Sequence, residues 1–204
     1  VRQWNAVIED AEKEALIERL PHHLEDLIHI ADTSDLYFDP GTGFHYSNAG
    51  YQILACMAER VCHHSFDRLL QERIFKPLGM TDTRQYDEIH IEAGLVKGYE
   101  YKLLKGYENA SFIDPSYAAG AGGLISTVDD LQKFSTGLSE GKLISEELYR
   151  RMIRSSDQAD YGFGWEIGQR YHPVLQDTVR LISHSGSING FGSYMALIAR
   201  DSLF

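Results

Sequence analysis

The pattern of apolar residues changes character near residue 155, and no other feature constrains the fold as much. Before that point apolar residues recur at three- and four-residue steps, the spacing of one helix face. Ile8, Ala11, Ala15 and Leu16 form one set, and Leu24, Leu27, Ile28 and Ile30 form another after Pro21. Tyr51, Leu54, Ala55, Ala58, Val61 and Cys62 form the firmest one, and Leu69, Leu70 and Ile74 follow. The same spacing predicts helices over about 126–137 and 145–154. Beyond residue 155 the runs 161–167, 178–183 and 192–198 are short, aromatic or β-branched, and separated by turn residues. They read as strands of one antiparallel sheet. The expected fold class is therefore α/β (α+β), an antiparallel sheet flanked by helices beside a mainly helical subdomain. Residues 1–155 form the helical region and 156–204 part of the sheet, together one domain. A chain of 204 residues is long enough to bury a real core.

Local signals punctuate this scheme. Asp39-Pro40-Gly41-Thr42-Gly43 is a turn, and Asn48 is placed to cap the helix that follows. Pro77 and Gly79 end the helical run that begins at Phe66. Residues 81–120 carry many tyrosines and no sustained period, which predicts long connecting structure with short strands. Gly120-Ala121-Gly122-Gly123 allows close backbone packing, and Asp129 and Asp130 read as first-turn helix charges. Cys56 and Cys62 fall on one predicted helix, about 9 Å apart along its axis at 1.5 Å per residue. That exceeds the reach of a disulfide. The adjacent pairs His22-His23 and His63-His64 point to different faces, with no partner at ligand spacing, so no metal site is expected. Thirty Asp+Glu against nineteen Lys+Arg, with no basic cluster, argue against nucleic acid and anionic membrane surfaces as partners. No apolar run is long enough to span a bilayer.

Two stretches carry chemistry. Phe44-His45-Tyr46-Ser47-Asn48-Ala49-Gly50-Tyr51 puts a phenol, a hydroxyl and a carboxamide at the mouth of a helix. Tyr46 can trade protons with a reacting oxygen, or it is a buried aromatic before the helix. Asn48 can grip a substrate amide as well as cap. Ser47 lacks a nucleophile elbow and an assigned base. Ser183-His184-Ser185-Gly186-Ser187 ends a strand, and Ile188-Asn189-Gly190 turns the chain. His184 and Gly186 share a face. Gly186 lets a substrate lie against the strand, and the Ser187 N–H is free to hold an oxyanion.

Taken together, these residues resemble the serine β-lactamase and penicillin-binding-protein superfamily, in its class C-like group of β-lactamases, DD-peptidases and esterases. Tyr46-Ser47-Asn48 resembles the Tyr-x-Asn motif. His184-Ser185-Gly186 is similar to the strand motif that is Lys-Thr-Gly in many members and His-x-Gly in others. Supporting matches run in the family's order. They are Pro40-Gly41-Thr42, Ile74-Phe75-Lys76-Pro77-Leu78-Gly79-Met80-Thr81-Asp82-Thr83, Gly122-Gly123-Leu124-Ile125-Ser126-Thr127 and Tyr161-Gly162-Phe163-Gly164-Trp165.

One departure stands out. The family's Ser-x-x-Lys nucleophile belongs upstream of Tyr-x-Asn, and nothing before Tyr46 fits it. The only Ser-x-x-Lys, Ser139-Glu140-Gly141-Lys142, contains glycine, lies downstream and reads as a surface turn. No nucleophile is therefore assigned in this chain. Both ends read as cuts through a longer protein, and this stretch by itself is expected to be inert. The resemblance implies a serine hydrolase acting on a small-molecule or peptide ester, amide or β-lactam through an acyl-enzyme. Esterase or DD-peptidase chemistry is favoured, without a cofactor. Tyr46, Asn48 and His184 would be catalytic, and Gly186 and Ser187 would hold the substrate and oxyanion. It further implies an extracytoplasmic setting and missing outer elements of the sheet, whose open edges would invite self-association. The competing reading is a non-catalytic binding or assembly module that keeps the cleft.

Overall fold

The computed structural model describes residues 36–86, 91 and 93–199. The helical patterns expected over 7–30, and His22 and His23, lie outside them.

Helix α1, Asn48–Cys62, begins where the extended backbone of Ser47 ends. The Ser47 hydroxyl accepts from the Gly50 N–H at 3.0 Å, so Ser47 is the cap and Asn48 the first helical residue. This corrects the expected cap by one position. Only the last extended residue can reach forward to the free N–H groups of the first turn. His63 closes the helix in the left-handed region, φ 55°. Apolar spacing found the helix but not its inner face. Ala49, Gln52, Ala55 and Cys56 are buried, while Leu54, Met57 and Val61 are exposed. Gln52 is inside because its amide spans two backbone groups. It donates to the Tyr117 carbonyl at 2.7 Å and accepts from the Gly120 N–H at 2.6 Å. Gly120 lies so close to α1 that a Cβ there would stand 2.7 Å from the Tyr51 carbonyl oxygen.

Helix α2, Phe66–Leu70, is tied to α1 by the Phe66 N–H, which donates to Glu59. It continues through a π turn, Gln71–Phe75, into a last α turn, α3, Lys76–Leu78. The wide turn precedes Pro77, which has no N–H and would crowd the carbonyl four residues back in a regular helix. The run ends where expected, at Leu78, and Gly79 closes it at φ 66°.

The stretch expected to be connecting structure carries short strands. Strand β1, Arg84–Gln85, pairs with β4, Leu124–Ile125, and β2, Tyr99–Lys102, forms a hairpin with β3, Gly106–Asn109. Beside β1 and β4, Asp130 is fully buried in helix α4, Val128–Ser139, whose cap is Thr127. It accepts from the Asp82 N–H and the Thr83 hydroxyl at 2.8 Å, and from Lys133 at 2.7 Å. Asp130 is thus a structural anion, and the two acids are no acid/base pair.

Helix α5, Glu146–Met152, capped by Ser145, packs with α4 on the main sheet. The sheet order is β5-β6-β7, all antiparallel, with β5 Glu166–His172, β6 Asp177–Ile188 and β7 Phe191–Ala199. Leu138, Tyr149 and Ile153 meet Trp165, Ile167 and Ile182 to form the core, with Ile182 wholly enclosed. The Arg180 guanidinium donates to the Ile153 carbonyl just past the end of α5. Only part of the first expected strand is a strand. Residues 161–165 are a tight loop and β5 starts at Glu166, because Gly162 and Gly164 bend the backbone. Gly164 takes φ 80°, and the Gly162 N–H donates to the Trp165 carbonyl at 2.7 Å. Among the described residues, the outer edges of β5 and β7 have no strand partner.

Candidate active site

Helix α1 and strand β6 deliver the two chemical stretches to one place. The ring centroids of Tyr46 and His184 lie 6.0 Å apart, across 138 residues of sequence. Tyr46 is 48% exposed, which removes the alternative of a buried aromatic and leaves its phenol open to a reacting group. Asn48 is exposed in the first turn of α1, two residues on.

Strand β6 runs past the end of β5. Pairing with β5 stops at Glu166↔Ser183, while pairing with β7 continues to Ile188↔Phe191 around the two-residue turn Asn189-Gly190. In such a hairpin the closing pair exchanges its hydrogen bonds, and the bonded pairs then alternate. Gly186 and His184 therefore bond toward β7. The N–H and C=O of Ser185 and Ser187 point to the opposite edge, where no strand lies among the described residues. This register supplies an unpaired Ser187 N–H of the kind an oxyanion or a substrate backbone can use. A Cβ on Gly186 would run into the Ser193 hydroxyl, so the glycine keeps the surface flat at that step.

A third residue joins the pair. The Tyr161 hydroxyl and His184 Nε2 are 2.8 Å apart, and His184 Nδ1 is 2.6 Å from the Ser185 carbonyl oxygen. A carbonyl can only accept, so Nδ1 carries the proton of that bond. Tyr161 meets Tyr46 edge-on at 6.2 Å and Phe44 at 5.2 Å, and the Tyr51 hydroxyl of α1 lies close to Gly164 in the same loop. Burial, with Tyr51 and Tyr46 beside it, pushes the Tyr161 phenol well above its ordinary value, so it stays protonated. Burial, with Tyr46 beside it, also raises the Tyr51 phenol. The loop is held from the other side too. The Gln158 amide donates to the Gly41 carbonyl at 3.1 Å, which ties the turn before Phe44 to the segment before Tyr161.

Sequence reasoning placed Tyr161 in a strand and gave Tyr51 only a helix-face role, so it missed both. The bracketing glycines of Tyr161-Gly162-Phe163-Gly164 were the available signal, since they mark a bend rather than a strand. The downstream Ser-x-x-Lys is occupied elsewhere. Ser139 donates to the Thr136 carbonyl at 3.0 Å, and Lys142 pairs with Glu140 at 2.7 Å. Cys56 and Cys62 are both free thiols. No helix among the described residues is long and apolar enough to cross a membrane.

Mixed helices and antiparallel strands in this arrangement are the architecture of the penicillin-binding-protein-like hydrolase fold. The octameric penicillin-binding protein homologue from Pyrococcus abyssi superposes with a TM-score of 0.74 at 26% identity, over 86% of this chain and 41% of that one. A D-stereospecific amidohydrolase from Streptomyces gives a TM-score of 0.74 over 90% of this chain and 55% of that one; at 22% identity it shows the fold alone. The Beta-lactamase family model matches residues 3–203, and the chain belongs to that family. Penicillin-binding protein 4* of Bacillus subtilis (strain 168) is 28% identical over 179 residues, 78% of this chain. The D-aminopeptidase of Gluconobacter oxydans (strain 621H) is 29% identical over 179 residues, 85% of this chain. The chain spans only 38% and 33% of these two relatives.

Proposed function

We propose that the chain supplies the Tyr-x-Asn and His-x-Gly parts of a serine hydrolase that acts on an ester, amide or β-lactam through an acyl-enzyme. The convergence of Tyr46 and His184 beside an open strand edge supports this reading most directly. The serine and lysine come from sequence outside these 204 residues. The serine oxygen attacks the carbonyl carbon, and its proton passes through the lysine and Tyr46 to the leaving group. Water then hydrolyses the ester so formed. Asn48 orients the substrate amide or the lysine. The Ser187 N–H receives the developing oxyanion, an effect worth about 3 to 4 kcal/mol in comparable holes. No step calls for a cofactor. His184 stands where many members carry lysine. Its two ring nitrogens are engaged by Tyr161 and the Ser185 carbonyl, so it grips a substrate carboxylate less firmly than an ammonium would, which favours esters and peptides over β-lactams. The relatives named as penicillin-binding protein and D-aminopeptidase are in keeping with an extracytoplasmic peptide or amide substrate.

The test is covalent labelling of the full-length protein with a fluorophosphonate or a fluorescent penicillin. Labelling is expected, and Tyr46→Phe should slow acylation by about 10²-fold or more. A full-length protein that holds a Ser-x-x-Lys yet neither labels nor turns over an ester would falsify the hydrolase reading. The remaining reading is then a binding or assembly module, consistent with the surface position of Ser139 and Lys142.

A further inference from the structure

The site contains a residue with no role in the chemistry just described. Tyr161 touches both halves of the site: its hydroxyl bonds His184 on β6, and its ring packs on Tyr46 and Phe44, which lead into α1. It is also the only link of this kind that reaches His184 Nε2 among the described residues. Its loop is rigidly held. Phe163 N–H donates to the Met152 carbonyl at 2.8 Å, Gly162 is pressed against that same carbonyl, and Gly164 lies against the Tyr51 hydroxyl.

The direction of the bonds follows from donor and acceptor chemistry. His184 Nδ1 must donate to the Ser185 carbonyl. In the neutral ring Nε2 then holds only a lone pair, and the 2.8 Å bond must be Tyr161 O–H donating to Nε2. The result is one directed chain, Tyr161 to His184 to the β6 backbone. Reversing any member would leave the Ser185 carbonyl without its donor or set two protons against each other.

We propose that Tyr161 is a positioning residue that fixes neutral His184 in the Nδ1–H tautomer, with Nε2 occupied, and sets the spacing between Tyr46 and the β6 edge. Its value for catalysis rests on the hydrolase reading; the tautomer does not. So arranged, His184 is not a general base. It presents a ring of fixed orientation to the substrate, while proton transfer is left to Tyr46.

The experiment is long-range proton–nitrogen NMR of the full-length protein labelled with nitrogen-15 at histidine, with His184→Gln used to assign the signal. At neutral pH His184 should appear as the Nδ1–H tautomer, with Nε2 displaced toward the position of a hydrogen-bonded acceptor. Tyr161→Phe keeps the ring and removes the donor. Nε2 should then move to the position of an unbonded acceptor, and the Nε2–H tautomer should gain population several-fold. A wild-type His184 in the Nε2–H form overturns the proposal without any variant, and so does a Tyr161→Phe spectrum unchanged at Nε2. If the fluorophosphonate fails to label while the spectrum is as expected, the hydrolase reading fails and the assignment to Tyr161 is supported.

Discussion

Replacing Gly186 separates the needs of the site from those of the fold. The added methyl would meet the Ser193 hydroxyl, the tip of a side chain that can rotate away. Gly186→Ala should therefore cost the fold about 1 kcal/mol or less, seen as a small change in Tm. The flat strand surface would be lost, and acylation of the full-length protein should fall by about 10²-fold, the size expected when a substrate is displaced by about an ångström. If Tm falls steeply while acylation of the folded fraction is unchanged, Gly186 is a packing residue and its place in the site is wrong. At this scale the sequence was most informative about residue type. Tyr46, Asn48, His184, Gly186 and Ser187 all stood out in the sequence as candidates, through their residue types and the resemblance of their motifs. What spacing could not show was which phenol would bond the histidine. Tyr46 and Tyr161 are equally plausible in one dimension, and a 2.8 Å contact is decided by where a loop bends.

Elements here are placed by close backbone approaches as much as by apolar faces. The 161–165 loop sits where it does because Gly162 lies directly on the Met152 carbonyl at the end of α5. Backbone cannot move aside as a hydroxyl can, so Gly162→Ala should destabilise the protein by about 1 to 3 kcal/mol, measured by urea unfolding. A loss near zero would mean that the loop is free to shift and does not fix Tyr161. Helix α1 teaches the same lesson. Its period was legible, yet its buried face follows Gln52, a polar residue drawn inward by Tyr117 and Gly120. Hydropathy cannot foresee that choice, because the partners lie 65 and 68 residues away.

For the whole molecule, the buried Asp130 links α4 to the segment entering β1 and makes stability depend on pH. Burial acts to raise its pKa, but the hydrogen bonds from Lys133, Thr83 and the Asp82 N–H outweigh it and hold the carboxyl below its ordinary value of 3.8. A carboxylate depressed in this way contributes stability above the unfolded-state value, and that stability is lost as pH falls through the folded-state one. Unfolding free energy should thus be flat down to about pH 4 and fall below it. Asp130→Asn should flatten that acid limb while lowering stability at pH 7. The measurement is chemical denaturation between pH 2 and 7, and an acid limb of equal steepness in the variant would remove Asp130 as its cause.

The sequence by itself determined the family and the order of helices before sheet, and it supplied the candidate site residues. These are carried by short motifs and by periodicity, which act within a few turns of chain. Tertiary structure alone decided the rest: the polar inner face of α1, the loop in place of a strand at 161–165, and the bond of Tyr161 to His184. Each of those depends on a directional bond between groups distant in sequence, or on a backbone dihedral that two glycines permit but do not dictate.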